Sequence, residues 1–210
     1  MPFSTQCFTV CNRKDVLVSA ALAVGIFLSG LVWGALTLHN LNTLLQEDLS
    51  RYLAAFLQGV EADSGSGLAD IKAWFEIVKM QTAVLGLLWF LGLTVLGTPL
   101  ILLVIGGRGF ILGFTVGFLV QDRAGQGLLL ALITVLPQNL FYVPAFLGGG
   151  ILSVYYSLML LRGSRGTPVS LRLGVYSLLF LFFMLFVLAG AWIEACIAPG
   201  FLRLLLSLYR

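Results

Sequence analysis

GLLLALITVLPQNLFYVPAFLGGGILSVYYSLMLL, residues 127–161, is a run of 35 residues without a charge. As one straight helix it would measure about 52 Å, against a hydrocarbon core of about 30 Å. It must break, and Pro137 and Pro144 are the places to break it, because each removes a backbone donor and disfavours helix before it. Gln138 and Asn139 follow the first proline. Unpaired amides in hydrocarbon are costly, so both must face protein, water or each other. The preferred reading is an internal clamp, in which the amides satisfy carbonyls that the prolines release. The sharper alternative is a pathway lined by the amides, as broken helices provide in transporters. Against it, no acid or base lies within the run to bind or relay an ion. Glu194, in WIEACIAPG, is the nearest candidate, and it stands where it can simply reach the interface.

Outward from this run the chain has the same character. It is 60% hydrophobic and 10% charged, with a mean hydropathy of +1.03, far from the balance of a soluble domain. The expected fold is all-α: a single polytopic membrane domain over 1–210, with about five spans and a broken fourth helix. The spans fall at 16–38, 82–105, 107–121, 127–161 and 173–193, the second interrupted by Gly97 and Pro99. The first is read as a retained span and not a removed signal peptide. A net charge of +3, placed mostly at the ends of apolar runs, gives no case for nucleic acid.

Arg13 and Lys14 precede the first span, Arg108 separates the second from the third, and Arg162, Arg165 and Arg172 precede the fifth. The segment 39–80 instead carries three basic residues against six acids. Five spans with a cytoplasmic N-terminus put every basic cluster inside and the acidic segment outside. The loop Gln121–Asp122–Arg123 is nearly neutral and votes weakly. In the outer segment, apolar residues at 41, 44, 45, 49, 52, 53, 56 and 60 form one helical stripe, and Leu68, Ile71, Trp74, Phe75 and Val78 form another. Between them lies a flexible hinge, DSGSG, residues 63–67. Two amphipathic helices so joined either connect spans along the outer leaflet or dock a partner there through residues such as Phe56 and Trp74.

Catalytic, cofactor and metal sites find little support. The one histidine, His39, sits at the outer end of the first span and reads as an interfacial anchor. Cys7 and Cys11 share a helical face, but two thiols do not complete a zinc site, and Cys196 is distant in sequence. Small residues carry more information. Gly109, Gly113 and Gly117 make a GxxxGxxxG stripe, and Gly30 and Gly34 repeat the spacing in the first span. Such stripes let helix backbones approach closely, within the bundle or between copies in a homo-oligomer.

The order QEDLSRYL, LGLLWFLGLTVLGTPLILL, GRGFILGFTVGFL, LPQN and EACIAPG resembles the stage II sporulation protein M family over nearly the whole chain. GFTVGFL and VLPQN are its most specific pieces, while the N-terminal PFSTQCFTVCN looks private to this chain. The resemblance implies a non-catalytic membrane scaffold in endospore formers. Such a scaffold recruits or anchors stage II sporulation proteins D and P, the septal peptidoglycan hydrolases, at the septum or the engulfing mother-cell membrane. Peptidoglycan, septum and engulfment come from the resemblance alone. A transporter or channel around Pro137–Asn139 is the alternative, and an intramembrane enzyme comes last.

Overall fold

A computed structural model describes residues 13–38, 43–62, 67–161 and 169–197. The described residues form six α-helices: α1 (Arg13–Thr37), α2 (Thr43–Ala62), α3 (Gly67–Gly92), α4 (Gly97–Thr134), α5 (Leu136–Leu161) and α6 (Val169–Trp192). A π-helical turn, Ile193–Ile197, ends α6. Five segments are long and apolar enough to cross a bilayer: Asp15–Thr37, Ile71–Gly92, Gly97–Asp122, Leu136–Leu161 and Leu173–Cys196. The protein is an all-α polytopic bundle, as composition and run length predict. Helix is the one open-chain answer to hydrocarbon, because it satisfies backbone groups within the segment.

The packing fixes the relative directions. Gly109 of α4 lies against Phe27 of α1, Gly113 against Leu31 and Gly117 against Ala35, so α1 and α4 run parallel. Gly148 meets Phe183 and Gly190 meets Tyr142, so α5 and α6 are antiparallel. Helices α1, α4 and α6 therefore run one way, and α3 and α5 return. The α1–α4 seam is the most extensive helix pair. A methyl group on Gly109 or Gly113 would overlap the carbonyl oxygen of Phe27 or Leu31, and one on Gly34 would overlap that of Phe110. Glycine is required there because the two backbones touch.

The structure redraws the spans expected at 82–105 and 107–121. Helix α3 ends at Gly92, the chain turns over 93–96, and α4 starts at Gly97. Pro99 thus sits in the first turn of a helix, where its missing N–H costs nothing, and does not interrupt a span. Gly97 is needed for the turn itself, since a Cβ there would overlap the Leu91 carbonyl. Arg108, expected in a loop, lies near the middle of the Gly97–Asp122 span. The expected pair of outer helices over 39–80 reduces to α2. No breaker separates 67–80 from the apolar residues that follow, so the second stripe is the leading part of span α3. Count and alternation survive: five candidate spans, with the 93–96 turn at the end where α1 begins.

Helix α4 is 38 residues long, about 57 Å if straight, and it is not straight. A Cβ on Gly127 would overlap the Leu119 carbonyl eight residues earlier, so the backbone doubles back between them. Residues 127–134 then run down beside 112–120, and Leu119, Leu130, Ala131 and Val135 close a small core. The break in the long uncharged run falls at Val135, two residues before Pro137. Pro137 occupies the first turn of α5, and no break occurs at Pro144, through which α5 continues.

At the 93–96 turn, helix-end carbonyls would be orphaned in an apolar setting. Hydroxyl groups of α5 and α6 meet them: Ser153 donates to Leu88 O at 2.8 Å, Ser157 to Thr94 O at 2.9 Å and Tyr176 to Trp89 O at 2.9 Å.

Candidate functional site

The polar residues that reach mid-span converge on Arg108. Its Nη2 donates to Gln81 Oε1 of α3 at 2.7 Å. Gln81 shares a cavity wall with Tyr142 of α5. Tyr142 in turn donates to Glu194 Oε2, in the π turn, at 2.6 Å. The guanidinium carbon stands 4.2 Å above the Phe146 ring, a geometry that favours a cation within about 6 Å of the centroid. Four elements are thus tied by one relay that joins a cation to an anion. The sign of each end explains the tie: either charge alone would be strongly disfavoured at this depth, and each is the other's compensation. The π turn aims Glu194 inward from a helix end. Such single-turn π segments recur at functional sites.

A cavity of about 180 Å³ opens beside the relay, and Arg108, Gln138, Asn139, Tyr142 and Glu194 are among its lining. Asn139 and Gln138 behave differently in it. Asn139 Nδ2 donates to Val135 O at 2.7 Å, capping a carbonyl at the helix break. Gln138 Oε1 is buried with no hydrogen-bond partner. Next to the cavity lies an apolar groove of about 680 Å³ between α1, α4 and the folded-back 127–134 segment. Leu112, Val135 and Asn139 border both.

The structure therefore gathers Gln138, Asn139 and Glu194 in one place, with Pro137 at the break above them. It puts Gly109, Gly113 and Gly117 in the α1 seam and leaves Pro144 exposed on α5, away from any break. Trp74 is at the start of span α3, edge-on to Phe75 at 5.0 Å, in keeping with aromatic anchors at membrane interfaces. The side chain of Phe56, the residues His39, Cys7 and Cys11, and the hinge at 63–66 lie outside the described residues. Sequence reasoning missed Arg108 and Gln81. The available signal was a solitary arginine 11 residues after Gly97, inside what reads as unbroken apolar sequence once Gly97 is taken as a helix start.

Helix α2 lies outside the five spans and is fastened by one face. Gln46 Nε2 donates to Leu38 O at 3.2 Å, Ser50 donates to Asp122 Oδ1, and Leu53 packs on the Leu119–Val135 core. Beside that face Leu45 and Tyr52 are exposed, Tyr52 by 76%. Glu47, Asp48 and Arg51 form exposed pairs at 3.6 and 3.9 Å on the far side.

Five apolar helices, an internal charge relay and one peripheral amphipathic helix define a multi-pass membrane protein. The family profile described as Stage II sporulation protein M matches residues 23–199. The chain belongs to that family, and so is a sporulation-related membrane protein. No curated protein and no solved structure matches it.

Proposed function

We propose that this protein is a non-catalytic scaffold of the engulfment machinery. It holds the septal peptidoglycan hydrolases, stage II sporulation proteins D and P, at the sporulation septum or the engulfing membrane. Its N-terminus is cytoplasmic and α2 faces the side where those enzymes work. The observation that carries this reading is α2: a 20-residue helix that is no span, tied down by one face, with apolar and charged flanks left exposed. Family membership supplies the setting, and Arg13 and Lys14 at the start of α1, with Arg162 and Arg165 before α6, support the orientation.

The test is co-purification in detergent of the two hydrolases from sporulating cells, with wild type beside a variant whose residues 43–62 are replaced by an uncharged Gly/Ser linker. Retention by wild type and loss in the variant is expected. Retention by both would move the contact into the spans. Retention by neither, with the protein intact and inserted, would contradict the scaffold. A second reading, a solute pathway, is favoured by one observation: Gln138, Asn139 and Glu194 line the same cavity. Flux in reconstituted vesicles that Gln138→Leu abolishes, without loss of partner binding, would select it.

A further inference from the structure

We propose that the Arg108 cavity and the groove beside it bind one ethanolamine phospholipid, headgroup in the cavity and an acyl chain along the groove. The cavity offers complementary poles. Arg108 carries five N–H groups, of which Gln81 takes one, so its guanidinium can hold an anionic oxygen. Glu194 and the partnerless Oε1 of Gln138 are acceptors on the same wall. They call for a donor, and a charged one is best matched to Glu194. The site's own charges already balance. A purely anionic or purely cationic ligand would leave an uncompensated charge in hydrocarbon, whereas a zwitterion does not.

Size and surroundings select among zwitterions. The cavity's 180 Å³ is worth about six waters, room for a headgroup and not for a large metabolite. The adjoining groove is walled by Leu31, Ala35, Val116, Leu128, Leu132 and Leu136, a surface suited to a hydrocarbon chain. Leu128, Leu132 and Leu136 are each more than 40% exposed, so the groove is open to the lipid from which such a ligand comes. Between common zwitterionic headgroups Gln138 discriminates. A primary ammonium can donate an N–H to its Oε1, while a trimethylammonium has none to give.

The inference goes beyond the scaffold reading and does not depend on it. Full-length protein, stripped of lipid in detergent, is titrated with phosphatidylethanolamine, phosphatidylcholine, phosphatidylglycerol or soluble phosphoethanolamine. Native mass spectrometry counts what stays bound. One phosphatidylethanolamine is expected, retained roughly tenfold better than the other two lipids. Gln138→Leu should reduce it to the phosphatidylcholine level, and Leu132→Trp, which fills the groove without touching the relay, should also weaken it. Equal retention of the three lipids by wild type would overturn the proposal as annular lipid. So would a preference for ethanolamine that neither substitution changes, because the site would then be elsewhere. Phosphoethanolamine binding as tightly as the lipid would overturn it in favour of a soluble ligand.

Discussion

Beside the 93–96 turn, Ser153, Ser157 and Tyr176 each donate a hydroxyl to a helix-end carbonyl, and the network is closed on itself. Around Arg108 the same bundle holds a network of a different kind. Two of its members, Arg108 and Glu194, are charged, the nearby Gln138 Oε1 has no partner, and a cavity runs alongside. The first network does what a membrane bundle needs, removing orphaned backbone groups from hydrocarbon. The second contains more polarity than the fold requires, since apolar side chains of similar volume would pack there at no electrostatic cost. The difference separates polar groups that build the protein from polar groups held ready for something else.

Substitutions can break or sharpen that contrast. The largest effect is expected at Arg108→Leu, which leaves Glu194 without its counter-charge. A loss of about 3–5 kcal/mol is expected in unfolding from mixed micelles, recovered in large part when Glu194→Gln is added. An Arg108→Leu protein as stable as wild type would mean that no relay exists. Next comes Ser157→Ala, which leaves the Thr94 carbonyl only the Gly97 N–H and takes the acceptor from the Thr98 hydroxyl; it should cost about 1–2 kcal/mol in the same assay. Asn139→Leu removes the cap on Val135 and should cost about 1 kcal/mol. Smallest is Gln138→Leu. Its Oε1 has no bond to lose, so stability should stay within about 0.5 kcal/mol of wild type or rise slightly. A Gln138→Leu cost equal to that of Ser157→Ala would erase the distinction between the networks.

The adjacent amides also show what could be read in the sequence. An uncharged run too long for the bilayer dictates a break, and an amide beside a proline is suited to capping it. Asn139 is seen to do so, at Val135 and not at Pro144. The glycine spacing on 109, 113 and 117 is equally legible as close approach, though its partner, the parallel α1, is a tertiary fact. Three things were hidden. The 93–96 turn is built from Leu, Thr and Val around Gly92 and Gly97, so hydropathy runs through it unbroken. Arg108 reads as a loop marker because its compensation comes from Gln81, Tyr142 and Glu194, residues 27, 34 and 86 positions away in the chain. The start of span α3 is obscured by Lys72, Glu76 and Lys79, whose exposed face lets a membrane helix look like a surface one. The Arg108 error is the case of long-range pairing overriding a local signal.

The central claim is that the chain turns at 93–96 and carries Arg108 through the middle of a span. Side-specific cysteine labelling tests it most directly. With Cys7, Cys11 and Cys196 replaced by serine, single cysteines are placed by Val95→Cys, in the turn, and Gly107→Cys, where the structure leaves open space. Both are exposed to a water-requiring, membrane-impermeant maleimide in spheroplasts and in inverted vesicles. Labelling of position 95 from the cytoplasmic face, and none at 107 from either face, is expected. Labelling at 107 with protection at 95 would place Arg108 in a loop and contradict the relay.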